Sequence, residues 1–246
     1  MVMKILGLVF ILAFLGLMIF FTIKSRRQRV GSIREISAFN RLRRSIGLSV
    51  ESGRRMHLSL GRGNLISTQS AVAFVGLSSL ARIARVTSVS DRPPVSTSGD
   101  GSVTILMQDT LRTTARQYGG EYDPMSGQLS GLTPFSYAAG TLSIIHDEDI
   151  SANLLLGSFG SEVALINEAG ERSGSLTLAG TDNVAAQAVI YASAHEPLIG
   201  EETYASGAYL GVGRMHVASL QAQDILRWVL AGAIVIGSIL KLVGVL

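Results

Sequence analysis

The chain has 246 residues, of which 47% are hydrophobic and 16% charged, with a net charge of +3 and no cysteine. The missing thiols exclude disulfides, thiolate metal sites and cysteine nucleophiles, and they leave the redox compartment open. Once the two apolar ends are set aside, about 200 residues remain, the usual size of one folded domain.

The first element is an uncharged apolar run, Ile5 to Ile23. At about 1.5 Å per residue it reaches roughly 29 Å as a helix, close to the ~30 Å hydrocarbon core of a bilayer. A cleavable signal peptide is the competing reading. The run is long, however, and is followed by Lys24, Arg26, Arg27 and Arg29 rather than by a small-x-small cleavage site. Those cations read as membrane-surface residues, and by the positive-inside rule they put the following chain in the cytoplasm.

Between Lys24 and Arg62 eleven basic residues face two acids, whereas Gly63 to Asp224 holds seven arginines and sixteen acids. The protein has a basic collar and an acidic body. Within the collar, Ile33, Ile36, Phe39, Leu42, Ile46 and Val50 recur every three or four residues, a single apolar stripe on a helix over 25–55. The stripe either packs on the domain, with the arginines solvated or paired to its acidic surface, or enters an anionic inner leaflet. The collar lacks interleaved aromatics and the body repels phosphate, so nucleic acid is not an expected partner.

From Met56 to Asp224 short apolar runs alternate with helical stretches. The expected fold is α/β, a Rossmann-like, mostly parallel sheet flanked by helices, with one transmembrane helix at each end. Expected strands are Met56–Leu60, Ser102–Met107, Asn153–Leu156 and Ser175–Ala179. Expected helices are Thr68–Val86, Thr110–Gln117, Pro134–His146, Ser161–Glu168 and Asn183–Ala194. Ser88 to Gly101, with Pro93, Pro94 and four serines, reads as a surface loop or a flexible insertion.

The last element, 225–246, is a second apolar run entered by Arg227 and Trp228, a cation and an amphipathic ring suited to the membrane interface. It carries Lys241, whose side chain can snorkel to the far headgroups or face another subunit. Ala233 and Gly237 give it a small-xxx-small spacing that permits close helix approach. The resulting expectation is a two-span protein of the cell (cytoplasmic) membrane, with its soluble domain in the cytoplasm and both termini external.

Three turns end expected strands in small residues: Leu60-Gly-Arg-Gly-Asn64, Leu156-Gly-Ser-Phe-Gly-Ser161 and Ala179-Gly-Thr-Asp-Asn183. In a parallel sheet such turns gather at the carboxyl edge, where open α/β folds bind ligands. Gly61, Gly63, Gly157, Ser158, Thr181 and Asp182 are therefore the candidate cofactor-binding positions. None completes a diagnostic motif, since Ile66 stands where a dinucleotide fingerprint needs its third glycine and no P-loop lysine follows. Ser158, Ser161, Thr181 and Asp182 also suit helix N-caps. No catalytic set, metal ligand set or cofactor is legible. His57, His195 and His216 are dispersed, and His146 to Asp149 reads as a solvated helix end. Glu201 and Glu202 read equally as the charged first turn of a helix.

Several short stretches carry a family resemblance. They are Gly53-Arg-Arg-Met-His57, Phe135-Ser-Tyr-Ala-Ala-Gly140, Ala152 to Glu162, Ala179-Gly-Thr181, Leu198 to Leu210, Ser219-Leu220 and Gln223-Asp224. With them the chain resembles a family of uncharacterised prokaryotic membrane-anchored proteins, a domain of unknown function. The resemblance implies no activity. The small and aromatic residues of these motifs suit close packing or a subunit contact. Two readings stand. One is a non-enzymatic structural or assembly component that forms a homo-oligomer or joins a membrane complex. The other is a ligand-binding or hydrolytic domain with its site at the strand ends and Glu162, Asp182 or Glu202 as acid or base.

Overall fold

The structure, a computed structural model, describes residues 2–24, 34–67, 70–90 and 92–244. Arg26, Arg27, Arg29, Ile33 and Thr68 lie outside the described residues. The chain divides into two compact units, one made of Met1–Glu35 with Gly213–Leu246 and the other of Ile36–Val212.

The first unit is a helix pair. Helix α1 spans Val2–Lys24 and α9 spans Arg214–Leu242, and the two are in contact. Both are long and apolar enough to cross a membrane. Among the described side chains of α1, Phe14, Leu17, Met18, Phe21 and Thr22 are partly covered, a stripe at three- and four-residue spacing that faces its partner helix. The other apolar side chains of the pair, Ile11 and Ile234 among them, stand exposed, a surface suited to lipid rather than water. Helix α9 begins eleven residues before the expected start at Ile225, because Arg214 to Asp224 continues the same helix as a more polar lead-in. Lys241 falls in its last turn, where a cation is favoured by the exposed carbonyls. A Cβ at Gly237 would meet nothing within 4 Å, so the Ala233/Gly237 pair makes no close approach within this chain.

The second unit is a six-stranded, wholly parallel sheet in the order β3-β2-β1-β4-β5-β6. Its strands are β1 (Arg55–Gly61), β2 (Val95–Ser98), β3 (Gly127–Leu129), β4 (Ile150–Ser158), β5 (Leu176–Gly180) and β6 (Glu196–Leu198). The helices between and around them are α2 (Ser37–Ser52), α3 (Ser70–Val86), α4 (Gly101–Tyr118), α5 (Pro134–Asp147), α6 (Val163–Arg172), α7 (Val184–Ser193) and α8 (Glu202–Tyr209). Alternation along each strand sends Met56, Leu58, Leu60, Leu154, Leu156 and Leu178 to one face. There they meet Phe39, Leu42 and Ile46 of α2 and the inner sides of α3 and α4. Each leucine buried there contributes about 2 kcal/mol. The opposite face is covered by α5, α6 and α7 through Tyr137, Ile145, Val163, Ile166 and Ile190.

The collar stripe is thus core: Phe39, Leu42 and Ile46 are buried, and the adjacent Arg41 pairs with Glu196 at 2.5 Å. Two expectations are overturned. Ser102–Met107 is not a strand but the start of α4, whose first turn is capped by the Asp100 carboxylate accepting from the Ser102 and Val103 amides. The β-branched run yields to that cap and to helical packing. Ser88–Gly101 is not merely a surface loop, since it contains β2, a fully buried strand between β1 and β3. Its single apolar residue, Val95, hides that burial from a hydropathy reading. The helix caps also differ: α7 is capped by Asn183, which accepts from the Ala185 and Ala186 amides, and α6 starts at Val163 after Glu162, whose side chain makes no cap bond.

Candidate functional site at the carboxyl edge of the sheet

The connection after β1 runs to one side of the sheet and that after β4 to the other. Their adjacent carboxyl ends therefore form the topological switch point at which open α/β sheets leave a ligand crevice. Gly61, Gly157, Ser158 and Thr181 converge here. Gly61 has φ +67, and a Cβ on it would overlap the Ser158 backbone; one on Gly157 would overlap the Leu60 carbonyl. The two strand ends press together where a crevice would open.

Backbone hydrogen bonds extend past the strands. Gly99 donates to the Gly61 carbonyl at 2.8 Å and Arg62 to the Ser158 carbonyl at 2.9 Å. Over this seam lies the Arg62 guanidinium, 3.1 Å from Glu162, whose carboxylate is only 2% exposed. The same carboxylate oxygen accepts from the Gly160 amide at 2.9 Å, so the buried charge is both paired and hydrogen-bonded. Thr181 accepts from the Phe159 amide at 3.1 Å, tying the end of β4 to that of β5. Gln187 then bridges outward, donating to the Thr181 carbonyl at 2.9 Å and accepting from the Gly200 amide at 3.2 Å. Gly63 is buried beside the seam, while Asp182 is half-buried and its charge, after burial itself, raises the pKa of Tyr204. Among the described residues, the carboxyl edge is tied across by its own backbone and side chains.

Beneath the seam runs a buried polar chain that spacing motifs in the sequence did not reveal. The Gly61 amide donates to the Tyr137 hydroxyl at 3.2 Å; that hydroxyl also bonds Ser59 and lies 3.3 Å from Thr97. Thr97 is 3.0 Å from His57 Nε2, and His57 Nδ1 is 2.6 Å from the Asn153 carbonyl oxygen. An amide oxygen only accepts, so Nδ1 carries the proton and Nε2 accepts from Thr97. Burial pushes the His57 pKa down to about 4, against the Asn153 bond, and burial likewise raises that of Tyr137. The legible signal was alternation: His57 and Ser59 on β1, and Asn153 on β4, fall on one face of buried strands.

These groups are all fully buried. Among the described residues no group of three His, Cys, Asp or Glu could hold a metal ion. His146 to Asp149 instead pairs with the strand start, Glu148 with Arg55 at 2.6 Å and Asp149 with Arg54 at 2.9 Å. The loops and helix starts at this edge expose apolar side chains: Ile66 after β1, Leu132 after β3, Phe135 in the first turn of α5 and Val184 at the start of α7, each at least 67% exposed. Of the membrane-surface candidates, Lys24 ends α1 with its ammonium 5.9 Å from the Phe20 ring centroid, and Arg227 and Trp228 are exposed on α9.

A protein-family model described as "Domain of unknown function (DUF6754)" matches residues 1–246, both apolar helices included. Comparison with curated proteins and with solved structures returns no match.

Proposed function

From the premise that this chain belongs to the DUF6754 family, a domain of unknown function, we propose that it is a membrane-tethered assembly component. Its α/β unit stands on the cytoplasmic side of the cell membrane and self-associates. The carrying observation is the carboxyl edge itself. Where this strand order would hold a ligand, the Arg62–Glu162 pair and the extended backbone ladder fill the seam, and Ile66, Leu132, Phe135 and Val184 project around it. Exposed apolar side chains clustered on one edge are the usual mark of a protein contact. The unapproached Ala233/Gly237 pair on α9 supports the same reading within the membrane. The charge pattern argues for the orientation: cations directly after α1, and Arg227 with Trp228 near the start of the second apolar stretch, belong at the inner leaflet, which leaves the outer ends of both helices external.

Native mass and light scattering of the detergent-solubilised chain test this. A discrete homo-oligomer is expected, with Phe135→Asp and Val184→Asp together giving monomers of unchanged thermal stability; a monomeric parent sinks the proposal. Protease protection of a C-terminal tag in sealed inverted vesicles tests the orientation, and cleavage from the cytoplasmic side overturns it.

The strand order favours a second reading, a small-ligand or hydrolytic site at the same edge. It requires Arg62 to leave Glu162. Arg62→Ala would then open a pocket and create affinity for a ligand that the parent lacks.

A further inference from the structure

Arginine is concentrated on two helices of the α/β unit. Helix α2 carries Arg41, Arg43 and Arg44 against the single acid Glu51, and α3 carries Arg82 and Arg85 with no acid. Arg41 is taken up by Glu196, and Arg85 lies over the Tyr118 ring. Arg43 and Arg82 instead line one pocket of about 150 Å³, together with the apolar Ile46, Ile83, Val86 and Leu210. That volume is below the range for whole small molecules and suits a single functional group.

Both guanidiniums are held by backbone at the end of α8. Arg82 donates through Nε to the Leu210 carbonyl at 3.0 Å, and Arg43 donates through Nη2 to the Tyr209 carbonyl. The Tyr209 ring stacks on Phe39 of α2 with centroids 4.8 Å apart, which fixes that helix end against α2. A helix C-terminus carries about half a negative charge, so two guanidiniums exceed it by about one and a half. No carboxylate supplies the balance: none lines the pocket, and among the described residues neither arginine forms an ion pair. Each guanidinium has five N–H donors and uses one on its carbonyl, and Arg82 is only half-buried while Arg43 is exposed, so the remaining donors are open to a ligand. Surplus positive charge and donor forks from two helices match a dianion with more oxygens than a carboxylate has. A phosphate group, with three terminal oxygens, meets that description, and the apolar wall accommodates the carbon of its ester.

We infer that this pocket binds the phosphate group of an organic phosphomonoester, either a lipid headgroup or a free phosphate ester. The inference is independent of the assembly reading, since it uses neither the carboxyl edge nor the membrane helices. The test is titration calorimetry of the full chain in non-ionic detergent, with glycerol 3-phosphate, dihexanoylphosphatidic acid and acetate as probes. Saturable binding of phosphate ester is expected, with acetate at least about ten-fold weaker than the better phosphate. Phosphatidic acid about ten-fold or more tighter than glycerol 3-phosphate assigns the pocket to a lipid headgroup, and a smaller difference assigns it to a soluble ester. Arg43→Gln and Arg82→Gln should each weaken binding about ten-fold. Arg44→Gln and Arg85→Gln remove the same charge from the same helices outside the pocket, and should each weaken it less than about two-fold. Val86→Phe, which fills the pocket and keeps both arginines, should abolish binding. No saturable heat from either phosphate, acetate binding as tightly as the phosphates, or equal losses at the pocket arginines and at Arg44 and Arg85 would overturn the inference.

Discussion

The two faces of one sheet are built on different physics. Toward α2, α3 and α4 the strands present Met56, Leu58, Leu60, Leu154 and Leu156, and water exclusion alone accounts for their burial. Toward α5, α6 and α7 the same strands present His57, Ser59, Thr97, Asn153 and Thr177, buried just as completely. These polar groups sit beneath the apolar cluster of Leu155, Phe159, Val163, Ile166 and Ile190, and their burial is offset where they satisfy one another. Where they do not, as at the Thr177 hydroxyl and the Asn153 amide nitrogen, the desolvation cost is uncompensated. The apolar face is tolerant of detail and intolerant of lost volume; the polar face is the reverse.

That contrast can be broken most forcefully on the apolar side. Leu154→Ala, at a position with no exposure, should lower unfolding free energy by about 3 kcal/mol in urea titrations of the detergent-solubilised chain. A loss under 1 kcal/mol would mean that this face is loosely packed.

The polar face should announce itself through pH. His57 titrates at about 4 when folded against 6.5 when free. Between those values the unfolded chain binds a proton that the folded chain refuses, so stability rises with pH across this window and is flat above it. On acidification from pH 7.5 to 5 the histidine should cost about 2 kcal/mol. His57→Gln should remove that component of the slope, and equal slopes in parent and variant would place the acid sensitivity elsewhere.

Two smaller effects sharpen the comparison. Tyr137→Phe strands the Gly61 amide and the Ser59 hydroxyl, and should cost about 1–2 kcal/mol with no change in shape. Thr177→Val replaces a buried, unpartnered hydroxyl by a methyl group of similar size, and should leave stability unchanged or raise it by up to about 1 kcal/mol. The same Thr-to-Val change at Thr97, which serves both His57 and Tyr137, should destabilise instead. Matching signs at the two positions would refute the claim that partnering, not polarity, decides the cost.

Much of the scaffold was legible because hydrophobic pattern and secondary structure share a period. The two membrane-length helices, the amphipathic stripe of α2, strands β1, β4 and β5, and helices α3, α5 and α7 all follow from runs of apolar side chains at spacings of two or of three to four. Strand β2 escaped because Val95-Ser96-Thr97-Ser98 looks like a turn; its burial depends on neighbours that sequence spacing does not name. Strands β3 and β6, three residues each, are too short to carry a period. At the candidate site, Gly61, Gly157, Ser158 and Thr181 were recognised as strand-end residues, yet whether those ends part or close was not. Arg62 and Glu162 stand a hundred positions apart, and their pairing exists only once β1 and β4 lie side by side.

The sequence by itself determined the class of fold, the two apolar spans and the absence of thiol chemistry, because these depend on local composition and periodicity. Tertiary structure alone decided that Arg62 meets Glu162 across the switch point and that a buried polar network centred on His57 runs beneath it. It also decided that a cleft of about 290 Å³ opens among the ends of α3 and α4 and the 120–126 connection. Each depends on distances between residues remote in the chain, and charge pairing, hydrogen bonding and burial all fall off within a few ångströms.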